Sequence, residues 1–124
     1  MKAAAFAVVA ALALSTLPGA AAAMSVQEFL TSANRIPRNP TALLRSDTRR
    51  LMNEIGGAFK AVRDDQAAAR AAGRRPATCI PEGKISLSAE QILARFNAIP
   101  AKRRNISVNQ AVREWMGERY PCPA

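Results

Sequence analysis

The residues able to do chemistry are few. Two cysteines, Cys79 and Cys122, lie far apart; Asp64 and Asp65 are adjacent; Glu114 and Glu118 are one helical turn apart; histidine is absent. Without histidine there is no Ser-His or Cys-His nucleophile, and the commonest general base and metal ligand is missing. Paired carboxyl groups can hydrolyse glycosides if one of them stays protonated. Asp64 and Asp65, however, fall about 100° apart around a helix on a face expected to be exposed, so they read as solvated charge. Glu114 and Glu118 share a helix side flanked by Arg113 and Arg119, which suits ordinary surface pairing. No Gly-rich phosphate loop, EF-hand loop or metal-ligand spacing occurs. The expectation is a protein with no catalytic residue, no cofactor and no metal, and hence not an enzyme.

The cysteines have three readings. A redox pair or a metal site fits poorly, because they form no Cys-x-x-Cys and no histidine accompanies them. A structural disulfide between Cys79 and Cys122 fits an exported chain with an even cysteine count. Closing such a loop is worth on the order of 4 kcal/mol in the chain-entropy picture, a large share of a net stability of roughly 5–15 kcal/mol.

Export is indicated by the N-terminus. Met1-Lys2 supplies a positive start, Ala3 to Leu17 an apolar run, and Pro18-Gly19 a break before Ala20-Ala21-Ala22-Ala23. That order is the pattern of a secretory signal peptide over residues 1–23, with cleavage after Ala23. A membrane anchor needs about 20 apolar residues, and Ser15, Thr16, Pro18 and Gly19 interrupt this run. The expected location is therefore periplasmic or secreted, with residues 24–124 forming a single helical domain. Without Lys2, 17 Lys and Arg face 9 Asp and Glu. Such a balance attracts polyanions. The arginine pairs Arg49-Arg50, Arg74-Arg75 and Arg103-Arg104 have no interleaved aromatics, so nucleic acid is not an expected partner.

The elements that would hold these residues are helices. Ser25-Val-Gln-Glu28 has capping-box spacing and opens a short helix carrying Val26, Phe29 and Leu30 inward to about Ala33, before a loop holding Pro37 and Pro40. From Thr41 to about Ala72, the residues Leu44, Thr48, Leu51, Ile55, Ala58, Phe59 and Val62 form one stripe at about 100° per residue, with Ser46-Asp47 able to recap the helix after a short turn. Gly56-Gly57 lies off that stripe, as a bend, a bare patch for a partner, or a tolerated weakness. Beyond Val62 the helix turns polar and is expected to project, with Gly73 as terminator. A turn-rich connector, Gly73 to Gly83, carries Cys79. Ser88-x-x-Gln91 is a capping box with a Leu87–Ile92 staple, opening a helix whose inward residues are Ile92, Leu93 and Phe96. Ser107-Val-Asn-Gln110 opens the last helix, with Val108, Ala111, Val112, Trp115 and Met116 on one side. No hairpin signal appears, so the expected fold is an all-α bundle of four to five helices with one disulfide.

Within that frame the last third carries Cys79-Ile-Pro-Glu-Gly83, Ser88-x-x-Gln91-Ile92 with Phe96 and Ile99-Pro100, Val108-x-x-Ala111-Val112, and Tyr120-Pro-Cys-Pro123. This stretch, Cys79 to Ala124, resembles the C-terminal half of Tai-type immunity proteins. The resemblance implies a periplasmic, helical, often dimeric protein that binds and blocks a peptidoglycan amidase delivered by type VI secretion. The matching residues are of the structural kind and carry over no partner-contacting position.

Two functions follow as expectations. One is an inhibitor acting on a protein partner by occlusion, over about 800 Å² per side. Arg49-Arg50 and Arg103-Arg104 are its candidate contacts, against a default of solvated surface. The other is a basic envelope-associated accessory that binds anionic lipid or cell-wall polymer. Salt separates them, because polyanion binding weakens steeply as ionic strength rises.

Overall fold

The computed structural model describes residues 23–124, so the leader reading for residues 1–23 lies outside them in all but its last residue. The described chain is all-α. Its helices are α1 (Val26–Asn34), α2 (Ser46–Ala71), α3 (Ala89–Asn97) and α4 (Val108–Arg119), with 3-10 turns at Pro40–Leu44 and Ala101–Arg103. No helix among the described residues is long and apolar enough to cross a membrane.

Local sequence explains most helix boundaries. Ser25, Ser88 and Ser107 each accept a hydrogen bond from the backbone N–H three residues on, at 3.0–3.1 Å. Only Ser88 has the bond returned, from its own N–H to Gln91 Oε1 at 2.9 Å. Glu28 and Gln110 leave the reciprocal bond unmade and stay exposed. Gly73 ends α2 with φ +69°. Its N–H donates to Arg70 O, and that of Arg74 donates to Ala69 O, the two bonds of a Schellman motif.

The core gathers one side of each helix. Val26, Phe29 and Leu30 of α1, Leu51, Ala58 and Val62 of α2, Phe96 of α3, and Val108, Ala111, Val112, Trp115 and Met116 of α4 are all buried. α2 packs chiefly on α4 and also on α1. Phe29 meets Phe96 edge-on, with ring centroids 5.1 Å apart. The starts of α1 and α4 lie side by side: Val26 N donates to Ile106 O and Val108 N to Met24 O, both at 2.9 Å, around one isolated bridge between Ser25 and Ser107.

The segment from Thr41 divides into a short turn and a restarted helix, as expected, but three details need correction. Asn39 caps a 3-10 turn by accepting from Thr41 N, and α2 starts afresh after Arg45, which offers no side-chain cap. The turn swings Leu44 out to 81 % exposure instead of onto the core stripe. Ser46 is the first helical residue rather than the cap, while Asp47 pairs with Arg45 at 2.9 Å. Finally, the far half of α2 does not project. Gln66 and Ala69 are buried, and the connector after Gly73 folds back onto Gln66 through Thr78 and Ile80.

Gly56 and Gly57 face open space, and a Cβ at either meets nothing within 4 Å. Replacing Gly57 with Ala should therefore raise stability by about 1 kcal/mol through helix propensity. Gly73→Ala should lower it by about 1–2 kcal/mol, because alanine resists the left-handed backbone. Thermal melts of the two variants should move in opposite directions.

Candidate functional site

Cys79, the chemically distinctive residue of the connector, is joined to Cys122 in a disulfide spanning a sequence separation of 43. This segment has little regular structure because Pro76 and Pro81 exclude it from a helix. Its buried polar groups must therefore be satisfied by other means. Gln66, one turn beyond Val62, supplies the main answer. Its Nε2 donates to Ile80 O at 3.0 Å, and its Oε1 accepts from Ile80 N at 2.8 Å. Thr78 Oγ1 approaches the same Oε1 at 3.5 Å. Ile80 is 2 % exposed, so a side-chain amide brackets a buried backbone residue as a neighbouring strand would.

Other contacts extend the clamp. Cys79 N donates to Tyr120 O at 2.9 Å. Arg75 donates to the carbonyls of Cys122 and Pro123, each at 3.0 Å. Arg63 donates to Gly83 O at 2.7 Å and reaches Pro81 O at 3.4 Å. The connector is thus fixed from Arg75 to Gly83 against α2 and the end of α4.

Beyond the fixed connector lies a groove of about 380 Å³ between α2 on one side and residues 83–87 with Ile92 of α3 on the other. Its walls are Ile55 and Phe59 on one side, and Ile85, Leu87 and Ile92 on the other, with Arg63 and Lys84 also lining it. Phe59 leans on Trp115 at 6.4 Å between ring centroids, which ties the groove to the core.

The carboxylates singled out from sequence are all engaged in ion pairs. Asp64 pairs with Lys60 at 2.5 Å and Asp65 with Arg113 at 2.6 Å. Glu114 pairs with Arg103 at 2.7 Å and Glu118 with Arg95 at 2.6 Å, so neither takes its neighbour Arg113 or Arg119. The Arg95 guanidinium, by hydrogen bond and then by charge, holds the Glu118 carboxyl below its ordinary value, and Glu118 in turn raises Arg95. Among the described residues, no cluster of three His, Cys, Asp or Glu could hold a metal ion.

The arginine pairs divide. Arg103 is taken by Glu114, and Arg104 is half-buried, donating to Ile99 O and Asn97 O, each at 3.0 Å. That pair closes the turn after α3 and is a poor contact surface. Arg49 and Arg50 are exposed, with Arg50 edging a shallow depression shared with Gln27, Glu28, Thr31 and Ser32.

Compared with protein families, with curated proteins and with solved structures, the chain has no match.

Two outcomes check this description. Gln66→Ala leaves the Ile80 N–H and C=O without partners, which should cost roughly 2–4 kcal/mol in urea unfolding and speed exchange of the Ile80 amide. Glu118 has a folded pKa below its unfolded value near 4.5. Its pairing therefore stabilises above that pH and is lost as pH falls through the folded value. The melting temperature of the wild type should fall more steeply below about pH 4.5 than that of Glu118→Gln.

Proposed function

We propose that this is an exported, periplasmic helical binding protein that acts by occluding a protein partner, with a peptidoglycan amidase as the partner class. The observation that supports this reading most is the fixing of residues 75–83 by the disulfide, the Gln66 amide and two arginines. The segment that resembles Tai-type immunity proteins is thereby held rigid beside an open apolar groove. A surface ordered before binding loses little entropy on association, which is what a tight inhibitor needs. No chemistry is asked of the protein, since covering a cleft is enough.

A second reading is the envelope accessory. It draws on Arg35, Arg38, Arg49, Arg50, Arg70 and Arg74, which are exposed and have no carboxylate partner among the described residues. Such charges act at a distance and are screened over about 10 Å at 0.1 M salt.

The test is capture by the oxidised protein from envelope extracts at low and high salt, followed by a peptidoglycan-cleavage assay on what is retained. Inhibition predicts a stoichiometric wall amidase that stays bound at high salt and loses activity when the protein is added. If only lipid or polymer is retained, and salt removes it, the inhibitor reading falls and the accessory reading replaces it.

A further inference from the structure

Beside the clamp, residues 84–87 form a short stretch whose Ile85 and Leu87 side chains pack against the core while its backbone is left unpaired. They belong to no helix or turn. None of their backbone N–H or C=O groups takes part in a hydrogen bond among the described residues. Exposure alternates: Lys84 and Ser86 are exposed, whereas Ile85 and Leu87 are half-buried. That alternation has the period of two that a strand with one face on a core would show, although the stretch pairs with no strand among the described residues. Its anchors are firm on both sides, because Gly83 O is held by Arg63 and Ser88 N by Gln91. An open edge of this kind is a template for another extended chain.

The groove runs along this edge. Ile85 and Leu87 form one wall with Ile92, Ile55 and Phe59 form the other, and the two charged lining residues, Arg63 and Lys84, are both cationic. On the α2 side the apolar strip continues one and two turns towards the helix start, at i–3 and i–7 from Phe59, through Gly56, which carries no side chain, to Met52, 62 % exposed. A second copy of this chain meeting the first groove to groove would bring like charges together, since both cations recur on it. A lipid chain would fill the apolar trough but leave the four-residue backbone edge unpaired.

We infer that residues 84–87 and the adjoining groove bind an extended acidic segment of a partner polypeptide by strand addition. The segment's backbone pairs with residues 84–87. Its alternate apolar side chains enter between Phe59 and Ile85, and its carboxylates meet Arg63 and Lys84. This names a docking site for the inhibitor proposed above and rests on that reading only for the identity of the partner.

The probe is a capped peptide of about eight residues that alternates glutamate with valine, in the strand-length range, titrated into the full oxidised protein and followed by amide NMR shifts and hydrogen exchange. The expected result is saturable binding below about 1 mM, with slowed exchange at residues 84–87. Methylating the peptide nitrogens that face the edge should weaken binding about tenfold or more, since each lost bond leaves a group unpaired. Lys84→Glu should weaken the acidic peptide about fivefold and favour a lysine–valine counterpart. That exchange of preference is something a merely destabilised variant would not produce, and Ile85→Ser, with its melt checked, should weaken both peptides.

Four results would overturn the site. They are no saturation by about 1 mM, indifference to methylation, larger shifts at residues 84–87 with phosphatidylglycerol vesicles than with peptide, and a dimer in light scattering that protects these amides without peptide. If the wild type captures an amidase and Lys84→Glu and Ile85→Ser capture it equally, the docking site falls while the inhibitor stands. If the peptide binds as described but no amidase is captured, the reverse holds.

Discussion

The structure depends on satisfying the polar backbone where one proline-interrupted connector buries Thr78 and Ile80. A chain that can be neither helix nor paired strand must still place its N–H and C=O groups against partners when it leaves water. Here the Gln66 amide does so, holding both polar groups of Ile80. A side chain with one donor end and one acceptor end is the simplest device that imitates a strand neighbour. Because Ile80 is thereby committed to the core, the end of α2 is covered, and the connector becomes a wall of the molecule instead of a loose loop.

That commitment sets where the disulfide falls. With Ile80 buried, Cys79 lies beside Tyr120, to whose carbonyl it donates, and Cys122 is within reach. The bond then links the connector to the residues after α4. The start of α4 is held separately, through Val108 N and Ile106 O, to the chain entering α1. The last helix is therefore tied at both ends, and its apolar side is clamped against α2 between them. A domain of about a hundred residues has a modest core, and these two ties reduce what packing alone must supply.

Much of this was legible in the sequence, and the failures share a cause. The serine caps, the Gly73 terminator, the inward faces of α1, α3 and α4, and the cysteine pair were readable because each depends on neighbours within one or two turns, or on the only two cysteines present. The misjudged regions depend on contacts distant in sequence. Gln66 looked like the start of a polar, projecting end because its partner, Ile80, is 14 residues away and is a backbone group that no side-chain pattern reveals. Position offered a clue, since Gln66 and Ala69 continue the Val62 stripe at i+4 and i+7. Leu44 failed for a local reason, in that a 3-10 turn capped by Asn39 changed the phase of the stripe before α2 began. The groove was invisible because its two walls come from segments about thirty residues apart.

The arginine content also takes a different meaning once the contacts are known. Arg63 reaches the carbonyls of Pro81 and Gly83, Arg104 those of Asn97 and Ile99, and Arg75 those of Cys122 and Pro123. Each guanidinium spans two carbonyls one or two residues apart where the chain leaves regular structure. The planar fork of arginine suits this geometry, whereas a lysine ammonium offers a single compact charge. Five further basic residues are taken by Asp or Glu. A substantial part of the positive charge is thus fastening, and total charge is a poor guide to partners here. What distinguishes the groove is not that it is basic but that its cations border apolar wall and unpaired backbone at once, a combination that a polypeptide can satisfy in full.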